Sequence, residues 1–74
     1  MHISAEFTDG NRKYFDVSGE GFSPDEGQSL LFVYPDGTQR EGRVVELDCG
    51  ADPETNLLVD AIYNDLTGLV HVTI

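Results

Sequence analysis

The chain is short of cations. Four lysines and arginines stand against 14 acids, for a net charge of −10, and Lys13 is the single lysine. A folded body of that charge repels phosphates and attracts basic surfaces, so direct nucleic-acid binding is not expected and a basic protein partner is. Tryptophan is absent and cysteine occurs once, as Cys49, which excludes an internal disulfide framework and fits a reducing compartment. No apolar run approaches the ~20 residues that span a bilayer. The N-terminal "MHISAEFTDG" lacks the basic and apolar regions of a signal peptide. These absences lead to the expectation of a cytoplasmic protein with no membrane contact.

Catalytic sets are also scarce. The two histidines are His2, beside a terminus expected to be mobile, and His71, inside an apolar strand. A Cys49–His71 pair is the one nucleophile–base combination available, and a lone cysteine at the end of an aliphatic strand is more often a small buried hydrophobe. Asp48, Asp52, Glu54 and Asn56 fall within nine residues, but their spacing matches no calcium loop, and a solvated acidic loop explains the same letters. No glycine cluster opens a helix after a strand, as phosphate binding requires. The expectation is a protein that is not an enzyme and carries no metal or cofactor.

What is present is enough to fold. Leucine, isoleucine, valine and phenylalanine make up 21 of 74 residues, above the ~20% below which disorder is the better reading. The length and the lack of a dividing linker predict one domain over residues 1–74. A turn recurs: "FTDGN" at Phe7–Asn11 and "YPDGT" at Tyr34–Thr38 share the order aromatic, x, Asp, Gly, polar. Pro35 presets the first central position of a type I turn, and Gly37 suits the left-handed residue of a bulge. Two hairpins of one grammar predict a mostly antiparallel β-protein.

The turns set trial registers. Pairing Phe7 with Asn11 puts Ile3, Ala5, Phe7, Phe15 and Val17 on one face, with Glu6 and Arg12 paired on the other. Pairing Tyr34 with Thr38 gives an aliphatic face of Leu31, Val33, Val45, Leu47 and Cys49, taken as core. The opposite face carries Leu30, Phe32, Tyr34, Arg40, Val44, Glu46 and Asp48, as a second packing surface or a binding surface. "SGEGFSPDEGQ" (18–28) reads as a loop that Phe22 anchors. "LVHVTI" (69–74) reads as a final strand, with Val70, Val72 and Ile74 alternating against Leu69, His71 and Thr73. Residues 53–66 are open to two readings. As a helix they have Asp52 as N-cap and Pro53 at N1; as a strand, Leu57, Val59, Ala61 and Tyr63 alternate with Leu58, Asp60 and Ile62. Asp65 opposes a helix dipole there, and Val, Ile and Tyr favour strand, which is the reading adopted.

With the strand, residues 30–61 resemble the Sm-like (LSm) family of small SH3-like barrels. Asp36-Gly37 is followed by four residues and Gly42, the strand "RVVEL" runs on to Asp48, and "NLLVDA" opens at Asn56. The resemblance implies an all-β, antiparallel barrel of five to six strands, assembly into a ring, and an RNA-related role. It places Thr67 where the family has arginine, and puts seven residues between Asp48 and Asn56. The uncharged last strand is the natural edge for such assembly into a homo-oligomer.

The residues expected to bind a partner are Tyr14, Phe32, Tyr34 and Tyr63, as aromatics on a concave face, with Arg40, Glu46, Asp48 and Asn56 around them. The competing arrangement has Arg40 stacked on Phe32 or Tyr34 as a local contact. Together with the charge, this surface suits a basic peptide or a nucleic-acid-binding groove, making the chain an acidic interaction module, an inhibitor or a nucleic-acid mimic. The alternatives are the Sm-like ring subunit and an acidic housekeeping domain adapted to salt.

Overall fold

The two Asp-Gly turns are built alike. In the first, the Phe7 N–H donates to the Asn11 carbonyl (2.9 Å) and the Gly10 N–H to the Phe7 carbonyl (2.9 Å); in the second, the Tyr34 N–H donates to the Thr38 carbonyl (2.8 Å) and the Gly37 N–H to the Tyr34 carbonyl (2.9 Å). Asp9 and Asp36 each accept the backbone N–H two residues on, at 2.9 Å. Gly10 and Gly37 lie at φ 83° and 89°, where a side chain is strained. Each turn closes a hairpin in the expected register: Ile3 faces Phe15 and Ala5 faces Lys13, while Leu31 faces Glu41 and Phe32 faces Arg40.

The computed structural model describes residues 1–73 and has six strands and no helix among them. They are β1 (His2–Phe7), β2 (Arg12–Ser18), β3 (Ser29–Val33), β4 (Gln39–Leu47), β5 (Val59–Asn64) and β6 (Leu69–Val72). They close into a barrel in the order β1-β2-β5-β6-β3-β4. The antiparallel expectation needs a correction at two ladders, because β2 with β5 and β3 with β6 run parallel. The helical alternative for 53–66 is not formed. Asp52 instead organises a turn through its backbone and carboxylate, and the apolar alternation of β5 places Ala61 inside and Ile62 outside.

A further correction concerns the last strand. β6 pairs with β5 on one side and β3 on the other, so Leu69–Val72 is an inner stave, and the homo-oligomer expected through a C-terminal edge has no free backbone row there. Ile74, expected on the inner face of this strand, lies outside the described residues.

Ile3, Ala5, Phe7, Phe15 and Val17 are buried as expected, but the second hairpin is turned the other way round. Leu30, Phe32 and Val44 are buried, whereas Leu31, Val33 and Val45 lie outside and are only partly covered. Phenylalanine packing decides between the faces. Phe15 and Phe32 stack with centroids 4.6 Å apart, and Phe7 meets both edge-on at 6.2 and 5.3 Å, the preferred geometry for ring pairs. Gly42 faces the same space, and a Cβ there would lie 3.0 Å from the rims of both Phe7 and Phe32. Val45 is an extra residue in β4: Ala5 faces Val44, the next residue Ser4 faces Glu46, and Ile3 faces Leu47. This bulge returns Leu47 to the core, against which it packs.

Both long connections cover part of the barrel. Residues 19–28 close the end away from the Asp-Gly turns. Gly19, at φ 118°, lies flat against the Tyr63 carbonyl, Phe22 packs on the Tyr63 ring at 5.1 Å, and Pro24 is buried. Residues 48–58 run outside β1 and β2, held where His2 Nδ1 meets the Cys49 carbonyl at 3.2 Å. Ser4 points outward from β1 between Tyr14 and Glu46, yet it has no exposed surface.

Candidate functional site

The residues expected to form one aromatic surface are dispersed around the barrel. Phe32 is at the centre of the core with no exposed surface, a correction that follows from the ring stacking above. Tyr34 sits at the turn end, half-buried under the Lys13 ammonium, which lies 5.7 Å from the ring centroid; the tyrosine hydroxyl is buried and has no hydrogen-bond partner. Tyr63 is at the far end beneath Phe22. Only Tyr14 remains on the outer wall, opposite Ser4. Asp48 and Asn56 take left-handed backbone angles, φ 53° and 57°, and each bends the chain at a loop.

Arg40 caps the core at the turn end. Its guanidinium stacks 4.4 Å over the Phe7 ring, not over Phe32 or Tyr34, and donates to Asp9 at 2.9 Å. The two repeated turns are thereby tied, one supplying the carboxylate and the other hairpin the cation. The Asn11 backbone N–H, before any other influence, holds the Asp9 carboxyl below its ordinary value. Glu46 is likewise engaged: Arg12 Nη1 lies 3.1 Å from it, and the Tyr14 hydroxyl foremost, then Glu46 and Glu6, hold the guanidinium above its ordinary value.

Cys49 and His71 are not brought together. The Cys49 thiol lies over Ser4 on β1, close enough for the serine to influence its titration, although no hydrogen bond of ordinary geometry reaches that buried hydroxyl. Burial, with the charge of Glu46, pushes the thiol up, the opposite of what activates a nucleophile. His71 stands on the outer wall of β6, between Ile62 and Val33. Among the described residues no three of His, Cys, Asp and Glu are grouped to hold a metal ion, and no helix is long and apolar enough to cross a membrane.

Two surface features remain. One is the outer wall of β5, β6 and β3. Cross-strand pairing aligns Ile62 with His71 and Val33, and beside them Leu69 with Leu31; Ile62 is 51% exposed. Of the aliphatic face expected in the core, Leu31 and Val33 lie on this wall, partly covered, beside Ile62, Leu69 and His71. Glu41 stands opposite Leu31, Asp60 lies two residues before Ile62, and Asp36 follows Val33 in the turn; all three are exposed. The sequence signal for this wall is that β3 and β6 are apolar on both faces, the pattern of a strand covered on both sides.

The other feature is a groove of about 300 Å³ between β2 and the 52–57 loop, lined by Arg12, Lys13, Tyr14, Asp52, Leu57 and Val59. It holds two of the four lysines and arginines of the chain. Among the described residues Lys13 makes no ion pair, and Leu57 is 64% exposed. No protein-family model, curated protein or solved structure matches the chain.

Proposed function

We propose that this protein is a non-enzymatic interaction module that binds a basic partner protein through the outer wall of β5, β6 and β3. The observation that carries this reading is the outward apolar strip Leu31, Val33, Ile62 and Leu69 around His71, exposed at Ile62 and partly covered elsewhere, bordered by the exposed acids Asp36, Glu41 and Asp60. Protein interfaces combine an apolar centre with a polar rim. A centre without carboxylates, on a body of net charge −10, lets the rim choose the partner while the centre supplies the affinity. The partner surface that complements it has apolar side chains encircled by lysine and arginine, as nucleic-acid-binding proteins present.

The test is retention of purified basic proteins on the immobilised chain, compared with two variants. Ile62→Glu should weaken retention at every salt concentration. The triple reversal Asp36→Lys, Glu41→Lys, Asp60→Lys should weaken it most at low salt, and wild-type retention should fall between ~0.1 and ~0.5 M salt. Retention unchanged by both variants would sink the proposal.

A further inference from the structure

A second surface, independent of that wall, carries a different inference. The β5–β6 turn, Asn64–Gly68, is a rigid projection. The Asn64 side chain accepts the Leu66 N–H at 2.9 Å, the Gly68 N–H donates to the Asn64 carbonyl at 2.8 Å, and the Thr67 hydroxyl accepts the Leu69 N–H at 3.3 Å. The pinned turn holds Leu66 91% exposed, next to the exposed carboxylate of Asp65. A large apolar side chain fixed in water on an ordered turn has already lost the chain freedom that docking would otherwise remove.

The groove between β2 and the 52–57 loop has the complementary chemistry. Its apolar lining is Tyr14, Leu57 and Val59, and Arg12 and Lys13 stand beside them. Arg12 is already engaged by Glu46, which leaves Lys13, its ammonium 5.7 Å from the Tyr34 ring centroid, as the groove's cation without an ion pair among the described residues. The Asp52 carboxylate, on the same wall, is taken up by the Glu54 and Thr55 N–H groups. Projection and groove lie at opposite ends of β5, since Val59 opens the strand in the groove and Asn64 closes it at the turn. The turn therefore cannot reach its own groove.

We infer that the Leu66 turn of one molecule docks in the Arg12–Lys13–Leu57 groove of a second copy, with Leu66 on the apolar lining and Asp65 at Lys13. An apolar knob matching a pocket elsewhere on the same molecule makes a head-to-tail contact, which propagates into a ring if the rotation closes and a filament if it does not. Such a small contact is weak, and association shows at high concentration.

The test is sedimentation velocity from ~10 μM to ~1 mM, at ~0.15 M salt, where the like-charged bodies repel only within about 8 Å. The wild-type mass should rise with concentration above the 8.1 kDa monomer. Leu66→Asp and Leu57→Asp alter exposed side chains, keep the fold by circular dichroism, and should each shift association to at least tenfold higher concentration. Mixed together, they should form a dimer and nothing larger, because one molecule lacks the projection and the other the groove. Asp65→Lys should weaken association and Lys13→Asp in the same chain restore it, while Ile62→Glu should leave it unchanged. A wild-type mass that stays monomeric to ~1 mM, or a mixture that fails to pair, overturns the inference.

Discussion

Gly42 and Phe32 decide which way the second hairpin faces. With three phenylalanine rings in contact at the centre, the position opposite Leu30 has no room for a methyl group. Gly42→Ala should lower stability by about 1–3 kcal/mol through overpacking, read as a lower urea midpoint. Phe32→Ala should cost about 3–5 kcal/mol, a loss of fold rather than of one binding surface. Ser4 offers the converse case. Its hydroxyl is buried without a partner, so Ser4→Ala should hold stability level or raise it by about 1 kcal/mol. The Asp36 carboxyl is held below its ordinary value of 3.8, first by the Thr38 hydroxyl and then by its backbone N–H, and Asp9 lies low for a related reason. A carboxyl lowered by folding stabilises the fold above its unfolded value, and that contribution is lost as the pH falls through 3.8 and below.

At the scale of elements, the hairpins were legible because Asp-Gly turns dictate register. The turn type, the pairing of Ile3 with Phe15 and of Phe32 with Arg40, and the inner face of β1 and β2 could all be read from letters alone. The inner face of β3 and β4 could not. Both faces of β3 are apolar and β4 mixes charged and apolar residues on each side, so hydrophobic pattern gives no direction, and the bulge at Val45 puts Leu47 and Val44 on the same side despite their odd spacing. The candidate sites were legible only in fragments. Leu57 continues the alternation of β5 yet lies before the strand and is exposed, and the groove exists only because residues 48–58 double back across β1 and β2. That cover has its own test. Cys49 should react slowly with a thiol reagent in the native protein, with its rate profile displaced to higher pH, since burial pushes the thiol up. Reaction as fast as in the unfolded chain would mean that 48–58 is not closed over Ser4.

For the whole molecule, two electrostatic effects act in opposite directions. From pH 7 toward the isoelectric point near 4.1, self-repulsion among the acids declines, and the melting temperature at low salt should rise. Below that point the protonation of Asp9 and Asp36 removes their contribution, and the melting temperature should fall. Asp36→Asn, which keeps an acceptor for Thr38 without a titrating proton, should fall less steeply there. Added salt at pH 7 should raise the melting temperature by screening the same repulsion; a flat response would show that the acids lie too far apart to repel one another.

The place of β6 also governs how the chain reaches this state. This strand is joined to β5 by the short Asn64–Gly68 turn, whereas β3 lies far back in the sequence, and the ring closes only when the β5–β6 hairpin docks between β2 and β3. Hairpins of this kind form within roughly microseconds, whereas pairings between distant segments take about milliseconds to seconds. During that interval β3 and β2 each present an open row of amides. A second chain that offers its own β5–β6 hairpin at that moment supplies the same hydrogen bonds. Crowded refolding should therefore yield hairpin-exchanged dimers that persist after dilution.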